Sequence, residues 1–180
     1  LGVPGVTTSS ADLVVYDNIW LLATGKTPVI ADSTLEIHDD ATVDVNGAEG
    51  GTYSEITISG GTLMGAGALD ANLWMSAGLT TPGYSAGLIE LNNLSFSGGT
   101  YRVELDGTSP GNGSGKHDQL KVTGSVDLGV ATVLETTVGY LPDLNDRYVI
   151  IHNDGDDPVT GTLAGLAEGA DLLASGIALS

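Results

Sequence analysis

The feature that most constrains this chain is a short run that recurs along it. In each copy apolar and polar residues alternate, and glycine, asparagine or aspartate closes the run. "TLEIHD" sets Leu35 and Ile37 on one side, "TVDVNG" Val43 and Val45, and "EITISG" Ile56 and Ile58. "LSFSGG" does the same with Leu94 and Phe96, "YRVELDG" with Tyr101, Val103 and Leu105, and "QLKVTG" with Leu120 and Val122. A period of two with turn residues behind it is the signature of a half-buried strand. No window of useful length keeps the i, i+3, i+4, i+7 apolar face of a helix. The chain therefore reads as all-β with many corners, where Gly and Asn supply the positive φ that corners need.

Strands this short cannot hold a sheet alone, so the way they repeat matters. Ser-Gly-Gly-Thr begins at Ser59 and again at Ser97, 38 positions apart by subtraction of residue numbers. "VTGSVDLG" from Val122 resembles "VTGTLAGL" from Val159, 37 positions apart. Leu35 and Ile37 fall 21 positions before Ile56 and Ile58. These offsets fit coils of roughly 20 residues, the larger ones spanning two coils, as in a β-solenoid. Stacked coil on coil, each strand pairs with its equivalents above and below, and its alternate side chains form an inward ladder. A β-sandwich also has short strands and regular turns; the repeats favour the solenoid.

Leu1–Ala11 reads as a leader, residues 12–118 as coils with Trp20 and Leu22 buried, and residues 119–180 as a terminal β-rich segment of the same domain. In that last segment "VATVLETTVGYL" and "RYVIIHN" are long enough for hairpin pairing, and a terminal sheet or hairpin would cap the open end of the stack. "DGTSPGNGSGKHD", Asp106–Asp118, holds Pro110 and four glycines and reads as a flexible polar loop. The start lacks the basic and apolar regions of a signal peptide. The end, "DLLASGIALS", is an apolar strand-like run that suggests a segment of something longer.

Composition narrows the partners. Asp and Glu total 23 against 5 Lys and Arg, a formal charge of -18. Such a field repels nucleic-acid backbones and anionic membrane surfaces. No apolar run approaches the ~20 residues of a membrane helix, so no direct membrane insertion is expected. The absence of Cys excludes disulfides and thiolate metal sites.

The order of several motifs resembles the autotransporter-associated β-strand repeat and the segment that follows it. The motifs are "GGTLMGAGAL" (Gly60–Leu69), "TPGYSAGLIEL" (Thr81–Leu91), "LSFSGGTYRVELDG", "HDQLKVTGSVDLG" and "GYLPDLNDRYVIIHNDGDDPVTGTLAGLAEGA". The likeness covers Gly60 to Ala170. It departs from the usual pattern at Thr81 (Ser), Tyr84 (Asn) and Leu163 (Phe). The resemblance implies a right-handed parallel β-helix in an exported bacterial protein, extracellular or at the cell surface. There it would supply stalk, scaffold or adhesive surface without catalysis. A terminal β-sheet or hairpin cap completes the expected fold.

Candidate sites are few. Asn153, Asp154, Asp156 and Asp157 in "NDGDDP" offer the oxygen ligands that Ca²⁺ takes. The spacing is neither that of an EF-hand nor that of a calcium-binding β-roll, and a tight turn accounts for the same residues. Asp39, Asp40, Asp44 and Asn46 read as solvated corner residues. His38, His117 and His152 show no metal-ligand spacing, and His117 before Asp118 fits a structural hydrogen bond. Ser85 stands in "GYSAG", but a nucleophile elbow needs a strand before it and a helix after it, whereas Pro82 precedes and "LIEL" begins another strand. A β-helical glycan enzyme would need paired carboxylates or a basic group in a groove. The bases are only Lys26, Arg102, Lys116, Lys121 and Arg147, and aromatics are 5% of the chain, too few for an evident sugar platform. The expected function is a structural segment without catalytic residues or cofactor, joining copies of itself into an oligomer or filament. The alternative is an adhesion module that takes a surface or glycan ligand at the Asp106–Asp118 loop.

Overall fold

A computed structural model describes residues 12–17, 19–20, 28–38, 41–45, 55–154, 156–170, 172–174 and 177–179. The expected leader, the side chains of Trp20 and Leu22, and Asp39, Asp40 and Asn46 lie outside the described residues. Among the described residues every regular element is a strand.

The strands fall into rungs. The first holds β1 (Leu13–Val15) and β2 (Ile19–Trp20). The second holds β3 (Val29–Ile30), β4 (Thr34–Ile37) and β5 (Thr42–Asp44). The third holds β6 (Glu55–Gly65) and β7 (Gly67–Asp70), and the fourth β8 (Asn72–Pro82) and β9 (Leu88–Leu91). The fifth holds β10 (Leu94–Phe96), β11 (Thr100–Leu105) and β12 (Gln119–Val122). The sixth holds β13 (Val126–Asp127), β14 (Val133–Val138) and β15 (Ile151–Asn153), and β16 (Val159–Thr160) begins a seventh. A final hairpin joins β17 (Leu172–Ala174) to β18 (Ile177–Leu179), antiparallel.

Among the described residues every strand pairing between rungs is parallel and falls in one of three columns; an isolated antiparallel bridge joins Gly65 to Gly83. The first runs through Ile56, Leu73, Leu94, Val126 and Val159. The second runs through Leu13, Leu35, Leu63, Thr80, Tyr101 and Leu134. The third runs through Ile19, Val43, Leu69, Leu91, Val122 and Asn153. The first two columns share a ten-stranded sheet because β6 and β8 run unbroken round the bend between them; the third is a six-stranded sheet.

Alternation then sorts the side chains. The thirteen apolar residues singled out above, from Leu35 to Val122, are each no more than 1% exposed and belong to one hydrophobic cluster. At Thr80 the inward ladder turns polar, and its hydroxyl donates to Met75 Sδ at 3.4 Å. Tyr101 is buried against Phe96, and its hydroxyl donates to the Ile150 carbonyl at 2.7 Å. Corners carry ladders of their own. Asn93 Nδ2 donates to Asn72 Oδ1 at 2.8 Å, and Asn93 Oδ1 accepts from Ser125 N–H at 2.8 Å.

Glycine occupies the bend between the first two columns because successive backbones touch there. A Cβ on Gly61 would meet the Ser33 carbonyl oxygen, one on Gly78 that of Gly61, and one on Gly99 that of Gly78. This explains why Ser-Gly-Gly-Thr recurs: both copies make this bend, two rungs apart.

Three sequence readings are corrected by the register. Leu35 pairs with Leu63, so Leu35–Ile37 and Ile56–Ile58 sit in different columns. Val159 pairs with Val126, not Val122, so the two Val-Thr-Gly segments leave different columns. The strands from Gln119 to Thr160 keep parallel pairing where hairpins were expected, since each finds an equivalent partner one rung back. Among the described residues antiparallel strand pairing is confined to the hairpin at residues 172–179, whose first strand lies beside β14.

Gly78 has φ +94° and no room for a Cβ. Gly78→Ala should cost at least about 2 kcal/mol, by backbone strain and overlap together, measured by chemical denaturation. An unchanged midpoint would show that the bend tolerates a side chain.

Candidate functional site

The acidic turn expected to offer calcium ligands links β15 to β16. Asn153 holds the inward position of the third column, one rung beyond buried Val122. Its Nδ2 donates to the Asp157 carbonyl, and Asp156 N–H donates to Asp154 Oδ1 at 3.4 Å. Asn153 Oδ1 is shielded from solvent without a hydrogen-bond partner, while Asp154, Asp156 and Asp157 are exposed. Oxygen donors suit calcium by type. Here they belong to one turn that its own hydrogen bonds close. Among the described residues no three or more His, Asp or Glu side chains gather as a metal site.

In the other acidic patch, Asp44 pairs in register with Asp70 of the next rung. Burial, and then the Asp70 charge, push its carboxyl above the ordinary range. Asn92 Nδ2 donates to Asp70 Oδ1 at 3.0 Å, so an amide follows the acidic pair in the next rung. His152 is exposed and lies in register beside Lys121, whose ammonium bonds Glu90 Oε1 at 2.8 Å. Ser85 lies on an exposed turn between β8 and β9, with strands on both sides, as its sequence context implied.

The Asp106–Asp118 segment was expected to be flexible. It is tied at several points instead. Asp106 N–H donates to the Lys116 carbonyl at 2.8 Å, His117 N–H to Ser109 at 2.9 Å, and Gly113 N–H to Ala86 at 2.7 Å. Leu88 N–H donates to Asn112 Oδ1 at 3.0 Å. The physical reason is a buried pair at the loop's end. His117 and Asp118 are both inaccessible to solvent. The His117 ring donates from Nδ1 to the Gly107 carbonyl at 3.0 Å, which fixes its tautomer, and packs edge-on to Tyr148. Its Nε2 is buried without a partner.

Asp118 accepts from the N–H groups of Gly87 and Glu104, both at 2.7 Å. One carboxylate thus clips the fourth rung to the fifth where the chain enters β12. Burial raises its pKa to about 7. The two backbone donors oppose that rise, and the Glu104 and Asp106 charges add to it. The sequence marked His117–Asp118 as structural. Tyr140 and Tyr148, which share a hydrogen bond beside Asp146, carried no local signal.

One constellation spans rungs on the outside. Tyr16 stacks on His38 with ring centroids 4.0 Å apart and planes 22° apart. His38 meets Tyr84 at 5.7 Å and 39°, and Glu36 bonds His38 Nε2. All three rings follow the second column: after β1, after β4 and after β8. Far apart in sequence, they become neighbours only once the rungs are in register.

No family model, curated protein or solved structure matches the chain.

Two measurements bear on these sites. Melting with and without EDTA should give the same temperature, because the Asn153–Asp157 turn closes on its own bonds; a drop on chelation would establish a structural cation. The second concerns pH. An aspartate ordinarily ionises near 3.8 and folded Asp118 near 7, so between these values the folded chain holds a proton that the unfolded chain has released. Its contribution is full below about pH 4 and is lost as pH rises through about 7. Stability should therefore fall across this window, and Asp118→Asn should flatten the slope. An equally steep slope in that variant would assign the effect to other carboxylates.

Proposed function

We propose that the chain is a right-handed parallel β-helix serving as a rigid structural segment of a bacterial surface protein, stalk or fibre. The observation that carries this reading is the constant order in which the chain visits three strand columns, rung after rung. A surface that grows by adding rungs lengthens by about 4.8 Å each time without a new tertiary design. The sequence likeness to the autotransporter-associated repeat supports the same conclusion and points to the exterior of the cell. The strongly acidic surface suits a soluble, exported rod.

Copies of this segment join one another, on this reading, through the end that carries the last rungs. The second to fifth rungs bury their inward apolar residues fully, but Leu134, Val138 and Ile151 are only half-buried. Val130, Leu141, Leu144, Val149 and Val159 are exposed nearby in sequence. Described strands β15 and β16 each pair on one side only, leaving ladder edges of the kind that recruit further strands. At the other end β1 and β2 likewise pair on one side only and Leu13 and Ile19 are half-buried, but among the described residues the late rungs expose more large apolar side chains, which makes them the more adhesive face on this reading.

Electron microscopy of native material should show rods or chains in which copies touch axially or laterally. A field of discrete monomers at every concentration would overturn self-association.

A further inference from the structure

We propose that the Tyr16–His38–Tyr84 strip is a binding platform for a neutral glycan chain. The strip lies at the bend between the second and third columns, in the first, second and fourth rungs. The third rung has Gly65, Ala66 and Gly67 there, with no ring to contribute. Gly83 N–H donates to the Gly65 carbonyl at 2.6 Å, drawing the fourth rung close. Tyr84 reaches across that small-residue gap to His38. The result is one row of rings along the stack.

The rings do not serve the core. Tyr16 is 68% exposed and Tyr84 63%. Tyr16 stacks on His38 and Tyr84 meets it at a 39° tilt, and both tyrosines stay mostly exposed. Glu36 bonds the middle ring through Nε2, which holds that ring in place before any ligand arrives.

Open aromatic faces take the C–H faces of sugar rings, and the tyrosine hydroxyls can bond sugar hydroxyls. Exposed Asp17 adds an acceptor beside Tyr16. The formal charge of -18 selects against uronate or sulfated chains. Counting aromatics along the sequence suggested too few for a platform. The register gathers three rings into one. The platform needs one copy of the chain and stands whether or not copies self-associate.

Calorimetric titration of the whole chain tests it, with the neutral β-1,4-linked glucose hexamer, its N-acetylglucosamine counterpart and the anionic galacturonate hexamer as probes. Both neutral hexamers should bind, and the anionic one at least about tenfold more weakly. Tyr16→Ala and Tyr84→Ala should each weaken binding about tenfold or more, roughly 1.4 kcal/mol, with melting temperature nearly unchanged because both side chains are exposed. Tyr84→Phe, which keeps the ring, should retain most of the affinity. Absence of binding by both neutral hexamers, equal binding of the anionic one, or undiminished binding in both alanine variants would overturn the proposal.

Discussion

Everything in this molecule depends on in-register parallel pairing between strands that cannot stand alone. All the described strands but β6 and β8 span two to six residues, and alone they would leave unpaired N–H and C=O groups on both sides and too little apolar surface to bury. Stacking supplies both needs at once: the ladder satisfies the backbone, and alternation sends Leu35, Leu63, Tyr101 and their equivalents into one core. The same constraint explains the glycines. Where the first column bends into the second, successive backbones approach too closely for a Cβ, so Gly61, Gly78 and Gly99 follow one another up the stack.

Side-chain facing was legible in the sequence because it is a local property. An alternating run reveals which residues share a face, and every inward residue picked from such runs is buried. Register was only partly legible. Ser59 and Ser97 mark the same bend two rungs apart because the glycine requirement there is specific. Val122 and Val159 open similar segments in different columns because a strand leaving through a small polar turn looks alike anywhere. Rungs also differ in length, since loops such as Asp106–Lys116 leave the ladder and return. A fixed period cannot follow them; Leu94 finds Val126, while Ile56 finds Leu73 much sooner.

Sites were less legible still, because they are properties of register. The acidic turn at Asn153–Asp157 was visible as a cluster along the chain, and its own bonds close it. Asp118 was visible only as half of a His-Asp pair. Its task, accepting from Gly87 and Glu104 in two rungs, requires knowing which backbones lie beside it. A loop rich in glycine reads as mobile from composition, yet a buried carboxylate and a tautomer-fixed histidine at its end are enough to order it.

The division between inner and outer faces carries the last step. Inward positions are bound to one another through the stack, so a change at Val103 is felt by Thr136 above it and by the shared core. Outward positions touch mostly their neighbours in the same column. An exposed residue can therefore change without disturbing the ladder, and chemistry accumulates outside as rows along the axis: Asn72–Asn93, Asp44–Asp70, Glu90–Lys121 and Tyr16–His38. A row repeats at the strand spacing of about 4.8 Å, a pitch set by the backbone rather than by the side chains. That pitch suits a partner that is itself extended and repetitive, such as a glycan chain or another strand, better than a compact small molecule that a single deep pocket would enclose.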